Sequence, residues 1–251
     1  MQPSRGSNTA PPPTRFTLTE LPAAGGLVPI GSHFSFPPSF ASKWYRVSLT
    51  GSDIHKPVLS GWFTEVEAEV YRSLVSSIRS GIVVEVGVWK GRSLSAILDI
   101  CRANRNRLYA VDTWKPDLRD AGYQEAAVHD IEAIFVRNLS LLGHRETVEI
   151  IRENSARACD RFPDRSVDLV FLDADHSYES VRNDLLAWFP KVAQNGILCG
   201  HDYTTRPGVR RAVDEMFRAC AALPGGSIWV VWKRALRSTR IGKTPDSENF
   251  L

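Results

Sequence analysis

Two short runs hold the residues best suited to chemistry: Asp173-Ala174-Asp175-His176 and His201-Asp202. Carboxylates and imidazoles that meet in one place can hold a divalent cation through oxygen and nitrogen. They can also take a proton from a hydroxyl, a task for which an imidazole of ordinary pKa near ~6.5 is well matched at neutral pH. Each run directly follows an apolar stretch, Val167 to Leu172 in one case and Ile197 to Gly200 in the other. A solvated loop has no need of a buried strand before it, so both runs are expected at strand ends. Blander readings stay open: His176 caps a helix that starts near Ser177, His201 makes an ordinary hydrogen bond without a metal, and Asp175 rivals His176 as a base.

Two more acids stand in the same relation to their strands. Glu85 ends the β-branched run Ile82-Val83-Val84, and Gly87 and Gly91 then bracket a tight turn before Arg92 to Leu98, whose Leu94, Ile97, Leu98 and Cys101 recur at helical spacing. A strand, a glycine loop and a helix start are expected to present bare backbone N–H groups and to let a nucleotide-like ligand approach closely. Asp112 ends Leu108 to Val111, 25 residues after Gly87. An acid at that strand end can accept hydrogen bonds from ribose hydroxyls, or it can simply cap the turn that follows. The spacing Glu85-x-Gly87-x-x-x-Gly91 is not the Gly-x-Gly-x-x-Gly of dinucleotide binders.

The elements that must position these groups alternate along the chain. Thr64 and Glu67 have the spacing of a capping box, and Val66, Val70, Tyr71, Leu74, Val75 and Ile78 make the apolar face of the helix that follows, stopped by Gly81. Further helices are expected over Tyr123 to Leu142, on Val181, Leu185, Trp188 and Phe189 up to Pro190, and on Val209, Val213, Met216 and Phe217. Strands fall at Thr147 to Ile151 and Ile228 to Trp232 besides those already named. Strands alternating with helices predict an α/β fold: a doubly wound, mostly parallel Rossmann-like sheet with helices on both faces, in a single domain. In such a sheet the ligand crevice lies beyond the carboxyl ends of the strands, where all of these acids and histidines converge.

Composition narrows the classes. The chain has 251 residues, 43% hydrophobic and 24% charged, enough for one well-buried domain at residues 58–235. The net charge of +3 sits in the two ends, because residues 58–233 hold 22 Lys/Arg against 24 Asp/Glu. Nucleic acid is therefore not the expected partner. No apolar run approaches the ~20 residues of a membrane span, and no apolar signal-peptide core is visible. The four cysteines lack Cys-x-x-Cys spacing and read as buried free thiols, which fits a cytoplasmic, reducing location. Residues 1–57 form an N-terminal arm holding eight of the fifteen prolines in its first 40 residues. Its first part is expected to be disordered, and its aromatic part (Phe34, Phe36, Phe40, Trp44, Tyr45) to pack on the domain or cover a substrate as a lid. Residues 236–251 read as a polar tail.

The glycine loop resembles motif I of class I S-adenosylmethionine-dependent methyltransferases. The run from Asp168 through Asp173-Ala174-Asp175-His176, then Trp188 to Val192 and Asn195 to Tyr203, resembles the macrolide-sugar O-methyltransferases and, more distantly, the catechol O-methyltransferases. The likeness extends over about Gly61 to Lys233. It implies an O-methyltransferase acting on a small hydroxylated molecule of sugar, polyketide or phenolic type, with S-adenosylmethionine contacted by Glu85, Gly87, Gly91, Asp112, Thr113, Trp114, Ser155 and Asp173. It further implies a divalent metal, Mg²⁺ or Mn²⁺, on Asp173, His201 and Asp202, and His176 as general base.

This sequence departs from the family in three places. His201 stands where relatives usually have an acid, which turns the preference toward Mn²⁺, Fe²⁺ or Zn²⁺. Glu153-Asn154-Ser155 replaces Gly-Asp-Ser. The antiparallel pair that closes the sheet in relatives is not visible after Trp232, so one edge strand is expected to be missing or supplied by the N-terminal segment. A nicotinamide-dependent oxidoreductase or a non-catalytic cofactor-binding protein on the same fold are the competing readings, and a homo-oligomer stays open.

Overall fold

The computed structural model describes residues 59–115, 121–217, 220–222 and 226–233. The arm at 1–57, with its aromatic segment, and the tail at 236–251 lie outside them.

Helix α1 (Glu65–Val75) begins as its sequence dictates: Thr64 caps it, Glu67 N–H donates to the Thr64 hydroxyl, and the Glu67 carboxylate accepts from Thr64 N–H in return. Its inner face buries Val70, Tyr71, Leu74 and Val75, while Val66, expected there, is exposed. Tyr71 stacks on Phe171 with ring centroids 4.4 Å apart. Full burial of Leu74 and Val75 contributes on the order of 1.5–3 kcal/mol each, enough to fix the helix against the sheet.

Strand β1 (Ile82–Val86) runs into the glycine loop, followed by two short helices, α2 (Arg92–Ser95) and α3 (Leu98–Ala103). Next come β2 (Arg107–Asp112), α4 (Ile131–Leu141), β3 (Val148–Arg152), α5 (Ser155–Ala158), β4 (Val167–Leu172), α6 (Tyr178–Trp188), β5 (Val192–Gly200), α7 (Pro207–Met216), β6 (Ala221–Ala222) and β7 (Trp229–Trp232). The sheet has seven strands in the order β3-β2-β1-β4-β5-β7-β6. The first five are parallel, and β7 pairs antiparallel with both β5 and β6. Successive residues of β4 alternate faces: Phe171 meets α1, whereas Val170 and Leu172 join a core with Val181, Leu185, Trp188, Val209 and Val213 of α6 and α7. Helices thus cover both faces.

Two expectations are corrected. The stretch read as one helix over Tyr123 to Leu142 is a 3₁₀ segment (Ala121–Ala127) followed by α4, because the Asp130 carboxylate accepts from Ala133 N–H and starts a new helix there. The edge strand expected to be missing is present among the described residues as Ala221–Ala222, which pairs antiparallel with β7. The four cysteines are buried free thiols, as expected. Among the described residues no helix is long and apolar enough to cross a membrane.

Candidate active site

At the ends of β4 and β5 the backbone aims four titratable side chains at one point. Asp173 N–H continues the ladder by donating to the Val86 carbonyl (2.8 Å), and His201 N–H donates to that of Leu172 (3.1 Å). Asp202 then turns into the left-handed region (φ +62°), which an Asp tolerates better than most residues. Its Oδ2 lies 3.0 Å from His176 Nε2 and 3.6 Å from His201 Nδ1. Asp173 Oδ1 is 3.8 Å from each of these nitrogens. One atom each from Asp173, His201 and Asp202 all fall within 4.8 Å of one another, a spacing that a single cation can bridge.

Electrostatics here are governed by crowded negative charge. Burial alone would lower the His176 pKa, but the Asp173 and Asp202 carboxylates raise it to about 9. The ordinary value expected from its type is thus corrected upward. For His201 burial again pulls down, and the nearby Asp202 carboxylate and the bond to Glu67 outweigh it, giving about 10. Asp202 shows the reverse: burial raises its carboxyl, and the two imidazoles and Thr205 hold it well below the usual range. The helix-capping alternative for His176 does not hold, since Ser177 is the cap of α6. Asp175, the rival base, is exposed and accepts from Ser177 N–H at 2.7 Å.

Sequence reasoning missed two acids at this end. Glu67, read only as a cap, is also bonded at 3.0 Å to His201 Nε2. Burial would raise its carboxyl, yet hydrogen bonds from His201, Thr64 and Ser227 bring it down to about 2. Asp184 of α6 lines the small cleft beside Asp173, His176 and His201, and burial pushes it up to about 6 against a lowering bond from Ser155. Nothing in the local pattern around Glu67 marks a partner 134 residues away. Asp184 carried a weak signal, being polar on a face that runs Val181, Leu185, Trp188.

The glycine loop is organised differently from the expectation. Its N–H groups are not bare: Asp112 Oδ2 accepts from Val88 N–H (2.9 Å) and Trp89 N–H (3.0 Å), and Oδ1 from Trp114 N–H (2.7 Å). These bonds hold Trp89 and Trp114 at φ +48° and +50°, left-handed conformations that cost a bulky residue on the order of 1–3 kcal/mol each. Burial still leaves the Asp112 carboxyl above its ordinary value. Three accepted bonds leave room for one more on a carboxylate, so a ribose hydroxyl remains compatible. Gly87 (φ +83°) is required because a Cβ there would stand 2.1 Å from the Asp173 carbonyl oxygen, and Gly91 (φ +86°) because a Cβ would press on the Phe135 ring at 2.9 Å.

The other expected cofactor residues are spread out. Glu85 is fully buried beneath the loop, with Oε1 taking the Ser93 hydroxyl at 2.6 Å and Oε2 without a hydrogen-bond partner. It is therefore under the loop and not on its ligand side. Thr113 Oγ1 accepts from Lys115 N–H (3.2 Å), Trp114 Nε1 donates to the Trp89 carbonyl (3.0 Å), and the Ser155 hydroxyl takes the Trp188 indole N–H (2.9 Å). Asp173 joins the two halves, since Gly87 packs on its backbone while its side chain faces the histidines. Across the mouth, Trp62 (60% exposed), Trp89 and Tyr123 form an aromatic cluster, with Tyr123 nearly parallel to His176 at 6.5 Å.

Comparison with known proteins agrees with this architecture. Residues 84–203 match a family described as a methyltransferase domain. An uncharacterized protein of Sinorhizobium fredii, y4gI, is 30% identical over 138 residues, covering 53% of this chain. The match spans only 14% of that relative's length. Among solved structures, the O-methyltransferase NovP superposes with a TM-score of 0.55 at 22% identity, covering 66% of this chain and 78% of NovP. A SAM-dependent O-methyltransferase of Thermotoga maritima gives 0.50 at 13% identity, covering 72% of this chain and 69% of the other. Structural likeness at such identities speaks for the fold. The chain thus has the class I methyltransferase fold, with residues 84–203 matching a methyltransferase domain.

Proposed function

We propose that this protein transfers a methyl group from S-adenosylmethionine to a hydroxyl of a small molecule, assisted by a divalent metal on Asp173, His201 and Asp202. The observation that carries the proposal is the convergence of those three residues with His176 beside the glycine loop. The O, N, O donor set fits Mn²⁺, Fe²⁺ or Zn²⁺ better than Mg²⁺, and two carboxylates facing one imidazole nitrogen suit a cation chemically. When bound, such a metal supplies Lewis-acid polarisation of the acceptor hydroxyl.

The chain's own residues do the rest. His176 in its unprotonated form, whose share grows as pH rises toward its value of about 9, accepts the hydroxyl proton at Nε2, and Asp202 at 3.0 Å and Asp173 at 3.8 Å favour the resulting imidazolium. Asp112 holds the loop and offers its remaining acceptor site to the ribose, with Gly87, Gly91, Thr113 and Trp114 around it. Trp62, Trp89 and Tyr123 limit water at the mouth. The methyl is already activated on a sulfonium, so no covalent enzyme intermediate is needed, and positioning accounts for much of the rate. Four free thiols accord with a reducing, cytoplasmic setting.

The test is isothermal titration of the whole protein with S-adenosylmethionine and with NAD⁺, each with and without Mn²⁺, followed by transfer of labelled methyl to a panel of hydroxylated small molecules. Binding of S-adenosylmethionine, enhanced methylation with Mn²⁺ and no binding of NAD⁺ are expected. NAD⁺ binding in its place would turn the reading to an oxidoreductase. Full transfer in excess chelator removes the metal from the proposal.

A further inference from the structure

We infer that Glu67, on a helix outside the strand ends, is the positioning residue that makes His201 a metal ligand through Nδ1. This rests on the metal reading above and names what keeps its least usual ligand in place.

The Glu67 carboxylate is 4% exposed and accepts four hydrogen bonds. Oε2 takes Thr64 N–H and the Thr64 hydroxyl, both at 2.8 Å. Oε1 takes Ser227 N–H at 2.8 Å and meets His201 Nε2 at 3.0 Å. A carboxyl group that fills all four acceptor positions has no room for a proton of its own, so the hydrogen between Glu67 and His201 belongs to Nε2. Nε2 is therefore the donor to Glu67, and Nδ1 is the nitrogen that faces Asp173 and Asp202. Neither carboxylate is close enough to bond Nδ1 directly, the distances being 3.8 and 3.6 Å. That Nδ1 position lies between two carboxylates just beyond hydrogen-bond reach, where a cation can take the place of the proton.

The same bond fixes the ring's direction. His201 is 7% exposed, with the Phe63 ring centroid 5.4 Å away, so its plane is held by packing and its rotation by Glu67. A carboxylate on the far nitrogen also makes the imidazole a stronger donor to a metal. One side chain therefore serves twice, as the N3 partner of the α1 capping box and as the support of a ligand.

The experiment compares Mn²⁺ binding to the full-length wild type, Glu67→Gln and Val75→Ala by titration calorimetry and by the paramagnetic resonance of bound Mn²⁺, with thermal melting as the measure of fold. Val75 is fully buried at the far end of the same helix from Glu67, so its truncation loosens α1 without removing the Glu67 carboxylate. Glu67→Gln should weaken Mn²⁺ by about tenfold to a hundredfold and alter the resonance of what remains bound. Val75→Ala should lower the melting temperature and leave the Mn²⁺ affinity unchanged. A folded Glu67→Gln that binds Mn²⁺ as tightly as wild type overturns the inference, and so does a Val75→Ala that loses as much affinity. Wild type that binds no Mn²⁺ overturns the metal reading itself, and the inference with it.

Discussion

At the ends of β1 and β2 the chain answers most of its own polar groups: Asp112 takes three loop N–H groups, and the space under Gly87 is filled by the Asp173 backbone. At the ends of β4 and β5 it does not. Three carboxylates, Asp173, Asp202 and Glu67, surround two imidazoles at distances that leave a gap between Asp173, Asp202 and His201 Nδ1. The first half is a rigid seat completed by the fold. The second keeps Asp173 and Asp202 beyond hydrogen-bond distance of His201 Nδ1. An acid at a strand end is thus no guide to its role until its lone pairs have been counted.

Substitutions can break this contrast or sharpen it. The largest effect is expected at His176, in the unfinished half. Removing a general base costs roughly 10²–10⁴-fold in rate, so His176→Ala should lower kcat by that order while its affinity for S-adenosylmethionine stays near wild type. Unimpaired methyl transfer by the variant would hand the proton to another group. Gly87→Ala attacks the contact between the halves. Its Cβ would lie 2.1 Å from the Asp173 carbonyl, at a φ that disfavours any side chain, and the cost should be roughly 3 kcal/mol of stability in denaturant melts. A variant as stable as wild type would show that the loop can part from β4.

Asp112→Ala tests whether the finished half still has a place for a ligand. Loss of a bond to a charged acceptor should weaken S-adenosylmethionine by roughly 1.5–3 kcal/mol. Unchanged affinity would leave Asp112 as a loop organiser alone. A pH-dependent test concerns Glu85. Burial raises its carboxyl to about 8, with the Ser93 bond opposing and Asp173 adding, so the folded protein keeps a proton that the unfolded chain releases near 4.5. Between those values stability falls as pH rises, by about 1.4 kcal/mol per unit, and the loss levels off above the folded value. Glu85→Gln should flatten that slope in melts followed from about pH 5 to 9, and parallel curves for the two proteins would contradict it.

How much of this was legible in the sequence depended on the range of the interactions. The strands were, because Ile82 to Val84, Val167 to Leu172 and Ile197 to Cys199 are apolar runs buried on both faces. So was the convergence of Asp173, His176, His201 and Asp202, which follows from strand ends alone. The break at Asp130 was not, since the helical period of Ile131, Phe135 and Leu139 hides a cap inside a continuous pattern. Ala221–Ala222 is too short and small to announce a strand, and forms one only because β7 offers it a ladder. The glycines are necessary as expected but do not give clearance for a ligand, because the space beside Gly87 is filled by the Asp173 backbone and that beside Gly91 by the Phe135 ring of α4. Glu67 was half legible: its cap is local, its histidine is not.

The reach of that carboxylate also bears on when the site comes into being. Glu67 meets His201 across 134 residues and Ser227 across 160, whereas β1 and the start of β4 are joined by the Asp168 side chain across 86. Contacts that close long loops form late when shorter closures can precede them. The sheet can therefore assemble, with Asp173 and Asp202 already at their strand ends, before α1 docks and turns the imidazole. Refolding followed by stopped flow should show Mn²⁺ captured in a phase slower than the gain of strand and helix signal, and capture in step with that signal would reverse the order. Competence of the site would then report on completion of the whole fold, from the first helix to the last strand.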